Sequence, residues 1–157
     1  MKASTIQQLK IELINTPSDQ LIGLCIRMAK FKKENKELLS YLLFEASDEQ
    51  AYIENIKIEV QSKFDEINTS SLYFVKKSLR KILRMLNKYI CYTGSNETEV
   101  KLLIFFCATL KNSGILISKN LVIKNMYQNQ LKKISKSIAT MHDDLQYDYI
   151  RELEKYQ

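Results

Sequence analysis

The stretch that decides the fold is "FVKKSLRKILRMLNKYI", Phe74–Ile90. At about 100° per residue, Leu72, Val75, Leu79, Ile82, Leu83, Leu86 and Ile90 fall on one apolar face of a helix. Lys76, Lys77, Arg80, Lys81, Arg84 and Lys88 all fall within an arc of about 140° beside it. The two faces do not mix, which is the pattern of a core helix with a basic outer side. Six cations on one helix with no acid four residues away repel one another, so an external anion would relieve them.

The same arithmetic spreads outward. Residues 1–70 hold 9 basic and 11 acidic side chains. Residues 71–140 hold 13 basic and 2 acidic ones, Glu97 and Glu99, and residues 141–157 hold 2 basic and 5 acidic ones. The basic middle continues in Lys132, Lys133 and Lys136, set against Leu131, Ile134 and Ile138 on a further helical stretch. The formal net charge is +6, and nearly all of that excess comes from the middle. Such a face suits an acidic protein surface or the phosphates of a nucleic acid. It is equally the pattern of lysines that are merely solvated.

Only 3 glycines and 1 proline interrupt 157 residues, which argues against a turn-rich sandwich or barrel. Periodicity predicts helices near 3–15, 17–32, 34–46, 48–66, 70–92, 96–112, 119–140 and 143–156. The last two can also be read as one helix, because Leu131, Ile134, Ile138, Met141 and Leu145 keep helical spacing across the break. Thr16 with Pro17 and Asp19, Ser47 with Gln50, Ser95 and Ser118 are the expected helix starts. Gly94 and Gly114 suit the left-handed residue that follows a helix. "GILISKNLVI" is the one segment that can be read as a strand, and an extended linker entering a helix is preferred.

The expectation is therefore an all-α single domain over 1–157. Its seven or eight helices would pair as antiparallel hairpins, either in a short solenoid-like (HEAT- or armadillo-like) stack or in an irregular bundle. "LKIELINTPSDQLIGLCIRMAKFK" can be laid on "KYICYTGSNETEVKLLIFFCATLK" without gaps, a faint internal echo compatible with either.

The chemistry-bearing residues are few. His142 is the single histidine. It precedes Asp143 and Asp144, but a metal-dependent phosphohydrolase needs several histidines. Glu-x-x-His is absent because residue 139 is alanine, so a di-iron bundle is not expected. Glu34 and Glu37 are interleaved with Lys32, Lys33 and Lys36, the pattern of a salt-bridged face. Glu45, Asp48 and Glu49 lie at a helix junction, where acids favour the start of the next helix. Three scattered glycines build no phosphate loop. Cys25, Cys91 and Cys107 have no metal-ligand or redox spacing and read as small buried hydrophobes in a reducing, cytoplasmic setting. No cofactor or metal is expected, and neither is a signal peptide or a membrane-spanning segment.

The tail "MHDDLQYDYIRELEKY" adds an aromatic and acidic patch, with Tyr147, Tyr149, Asp143 and Asp144 as interface candidates. It can cap the last hydrophobic face or dock across Lys76–Lys88, in its own chain or a neighbouring copy. The runs "KFKKENKELLSYLLFEASDEQAYI" and "MHDDLQYDYIRELE" resemble an uncharacterised family of short helical bacterial proteins. That resemblance implies no activity, cofactor or catalytic residue.

The functional expectation is a non-catalytic helical interaction or scaffold module with a basic face, whose partner is another protein presenting an acidic surface, with homo-oligomers also open. The alternative is a sequence-nonspecific nucleic-acid binder using the α-helix near 70–92, with Tyr73 and Tyr89 nearby. The third is a hydrolase centred on His142.

Overall fold

The computed structural model describes residues 2–157. Among them are eight α-helices and no strand, so the all-α expectation holds. The chain divides into two compact units, Met1–Glu45 and Ala46–Gln157. Helical period is a local signal and does not say which helices share a core.

In the first unit, α1 spans Ile6–Ile14, α2 Ser18–Phe31 and α3 Lys33–Ser40, the last running into a π-helical turn over Tyr41–Glu45. Thr5 and Gln8 close a capping box at the start of α1. Thr16 does not cap α2 as expected. Its hydroxyl donates back to the Glu12 carbonyl at 2.8 Å and so closes α1. Pro17 becomes the residue before α2, with no side-chain cap. Lys32 is extended, and the Asn35 side-chain amide donates to the Met28 carbonyl at 2.9 Å, which folds α3 back against α2.

In the second unit, α4 spans Glu49–Asp65, α5 Leu72–Thr93, α6 Asn96–Asn112, α7 Leu121–Ile138 and α8 Asp143–Glu154. Ser95 caps α6 as expected. Two other starts differ: Asp48 rather than Ser47 caps α4, and Asn120 rather than Ser118 caps α7. A carboxylate or amide one or two residues on competes successfully for the same free amides. Ser118 instead lies in a 3-10 turn, Ile117–Lys119, so "GILISKNLVI" is a linker entering a helix and not a strand. Gly94 and Gly114 have φ of 61° and 76°, the left-handed conformation that glycine takes without a steric penalty.

The helices of this unit gather around α6, which packs against α4, α5 and α7. Val100, Leu102, Leu103, Phe106, Cys107 and Leu110 of α6 are fully buried. With the buried Thr98, Ile104 and Thr109 they span an arc of about 240°, so α6 is a central helix, unlike the one-sided α5. Val75, Leu79, Ile82, Leu83, Leu86 and Ile90 of α5 are buried as expected, but Leu72 is exposed, because it sits in the first turn, beyond the reach of the packed neighbours. The chain breaks between α7 and α8: the Thr140 hydroxyl turns back to the Ser137 carbonyl, and the Asn96 amide holds Thr140 from the start of α6. The reading of one continuous last helix is therefore set aside.

Candidate functional site

The basic face of α5 is in place. Lys77, Arg80, Lys81 and Arg84 are exposed, and Lys76 and Lys88 are half-buried. Serine at the helix start and glycine at its end hold the six cations on one rigid 22-residue element. The two acids of the basic middle are used elsewhere. Glu97 bonds Lys101 at 2.9 Å and the Tyr149 hydroxyl at 3.0 Å. Glu99 pairs with Lys133 at 2.7 Å and accepts from the buried Ser137 hydroxyl. Both carboxylates thus clasp α7 and α8 to α6. Among the described residues, no carboxylate is paired with Lys76, Lys77, Arg80, Lys81 or Arg84.

Lys133 departs from the expected open row. Besides Glu99 it donates to Asn87 of α5 at 2.7 Å, which makes it a link between three helices and not a free cation. That link nevertheless brings α7 beside the C-terminal half of α5, and Lys132 and Lys136 remain exposed. Of the two nearby tyrosines, Tyr73 is exposed, whereas the Tyr89 hydroxyl is held by Glu59 at 3.2 Å.

The tail does not cross the basic face of its own chain; its hydrogen bonds run to α6 and α7. Tyr149 bonds Glu97, Lys111 donates to the Lys155 carbonyl at 3.0 Å, and the Tyr127 hydroxyl donates to the Tyr156 carbonyl at 2.6 Å. Burial and the Glu97 carboxylate push the Tyr149 phenol well above its usual range, and hydrogen bonds from Lys101 and Tyr149 hold Glu97 below the usual carboxylate range. Tyr147, Asp143 and Asp144 stay exposed. His142 is an exposed helix-start residue whose Nδ1 lies 3.6 Å from Asp144. Among the described residues, no cluster of three or more metal-ligating side chains forms.

The cysteines do not behave alike. Cys107 is buried in α6, and burial pushes its thiol up to about 12. Cys25 and Cys91 are exposed, contrary to the expectation that all three fill the core.

The surface that sequence reasoning missed is in the first unit. Ile6, Leu9, Ile11, Leu13 and Ile14 of α1 are exposed. So are Ile22, Leu24, Ile26, Met28 and Phe31 of α2, followed by Leu38, Leu42, Leu43 and Phe44. Tyr41 is the only buried residue among those described there. An open apolar groove of about 150 Å³ lies between α2 and α3, lined by Cys25, Met28, Ala29, Asn35, Leu38, Leu39 and Leu42. The signal is present in α2 itself. Leu21, Ile22, Leu24, Cys25, Ile26, Met28, Ala29 and Phe31 span an arc of about 220° at helical spacing, more than one neighbouring helix can cover.

No family model, curated protein or solved structure matches the chain. No helix among the described residues is long and apolar enough to cross a membrane.

Proposed function

We propose that the protein is a non-catalytic interaction module in which residues 46–157 are the rigid scaffold and the first unit is the docking element. One observation carries this reading. Of the 24 large hydrophobic side chains exposed among the described residues, 14 lie in the first 45 positions. Single exposed hydrophobics are ordinary, but a contiguous run of this size marks a binding surface. The capping box of α1 and the Asn35 tie between α3 and α2 present these side chains on an ordered frame. Binding of the dye ANS at dilutions where the chain is monomeric tests the reading: the monomer should bind it strongly, and Met28→Glu with Leu42→Glu should remove most of that signal. An unchanged signal would refute it.

Lys77, Arg80, Lys81 and Arg84 of α5, exposed and paired with no carboxylate among the described residues, favour a second role for the same module. That role is contact with a polyanion through phosphates and without base reading. Fluorescence anisotropy with labelled single- and double-stranded nucleic acid across a salt series tests it. The triple substitution Lys77→Ala, Arg80→Ala and Arg84→Ala should flatten the logarithmic salt slope by about one for every phosphate that is no longer neutralised. No binding at low salt would remove this role and leave the apolar unit as the working surface.

A further inference from the structure

We infer that the partner of the α2–α3 hairpin is a second copy of the same hairpin, packed face to face with its ends reversed. This rests on the reading of the first unit as a docking element and specifies what it docks.

The unit needs a partner. A chain segment of about 40 residues rarely supplies enough core for itself and generally depends on a metal, a disulfide or association. Here Tyr41 alone is buried among the described residues, while Leu24, Met28 and Phe31 of α2 are exposed. A two-helix layer with an apolar groove along it is half of a four-helix bundle, and an identical layer supplies the other half.

Charge selects a second copy and fixes its direction. Within residues 18–45 the turn end carries Arg27, Lys30, Lys32, Lys33 and Lys36, with Glu34 and Glu37 among them. The opposite end carries Asp19 and Glu45 and no cation. Each hairpin is therefore an electric dipole with little net charge. Two copies laid with like ends together would set five cations against five. Reversing one copy sets the basic end of each against the acidic end of the other, twice, as an isologous two-fold interface requires. Near-neutrality also removes the electrostatic attraction that an anionic lipid surface would need.

The reversed arrangement has a geometric consequence. The midpoint of α2, Ser18–Phe31, falls between Leu24 and Cys25. Cys25 is exposed and lines the groove. When α2 lies antiparallel over the α2 of the second copy, residues at the midpoint meet their own counterparts, so the two Cys25 thiols come together at the symmetry axis. Like-ended packing places α2 over α3 and keeps them apart.

The test uses the full chain with Cys91→Ser, which leaves Cys25 as the exposed thiol. Light scattering should give a dimer, and a short bis-maleimide should link its two chains through Cys25. Cys25→Ser should abolish the link while the dimer remains. Met28→Glu with Leu42→Glu should abolish both. Asp19→Lys should weaken dimerisation about tenfold, and adding Lys30→Glu and Lys33→Glu to the same chain should restore it. A dimer that does not cross-link, or one indifferent to these charge changes, overturns the reversed packing. A monomer overturns the inference. If that monomer still binds ANS through Met28 and Leu42, the docking reading survives with a different partner, and if it binds none, both fall.

Discussion

The two units share one kind of secondary structure but differ in what their helices cover. In α6, residues from Thr98 to Leu110 are buried on most sides, and its two buried hydroxyls are satisfied, Thr98 by Glu49 and Thr109 by the Phe105 carbonyl. In α2, which is similarly apolar, no residue is buried. Amphipathic helices thus form in both places from local signals. What separates the units is neighbours: α6 has three packed helices around it, whereas α2 has α3 on one side. Helix formation and core formation are separate events, and a sequence can satisfy the first while leaving the second to another chain.

The comparison can be broken most sharply by truncating side chains on each side. Phe106→Ala should cost about 3–5 kcal/mol in the denaturant unfolding of the larger unit, through lost burial and the cavity left behind. Leu43→Ala, at an exposed position of the first unit, should leave that transition within about 0.5 kcal/mol. Equal costs would mean that the first unit is part of the same core.

A second comparison concerns the polar clasp of the larger unit. Glu99→Ala strips Lys133 and the buried Ser137 of a shared partner and should cost about 1–3 kcal/mol. Replacing Gly94 by alanine, where φ is 61° and the space around the added Cβ is open, should cost about 1–2 kcal/mol from backbone conformation alone. Both are read from the shift in denaturant midpoint.

Thiol labelling sharpens the contrast without mutation. Cys91 should react rapidly with an aromatic disulfide reagent in the native protein, Cys25 as fast when the chain is diluted to the monomer, and Cys107 only at the rate of unfolding, since it is both buried and held as the neutral thiol. Rapid labelling of all three would contradict a closed core around α6.

The smallest effects are those of pH. Glu97 has its carboxyl lowered in the fold, so the folded protein binds fewer protons than the unfolded one on acidification. Its contribution is present above about pH 4.5 and is lost as pH falls through the folded value. Tyr127 is raised to about 12, chiefly by burial, and Tyr149 is raised as well. Their contribution is present below about pH 10 and is lost as pH rises through the folded values. Tyr149→Phe should flatten both flanks of the stability profile while lowering its neutral plateau, because it removes one partner of Glu97 together with one raised phenol.

Much of this molecule is determined by sequence alone. The eight helices, the left-handed glycines at 94 and 114, the Ser95 cap and the separation of basic and apolar faces on α5 all depend on residues within a turn or two of one another. Such signals act before any tertiary contact forms. Competing caps are harder to read, because Asp48 and Asn120 lie within reach of the same amides as Ser47 and Ser118, and small differences in turn geometry decide between them. Three things depended on the tertiary structure. It assigned Glu97 and Glu99 to clasping α7 and α8, so neither carboxylate serves Lys77, Arg80, Lys81 or Arg84 of α5. It drew Lys133 out of the basic row onto Asn87. And it gave α6 its surrounding helices while leaving α2 uncovered, since burial is a property of the neighbours that a helix meets and not of the period written along it.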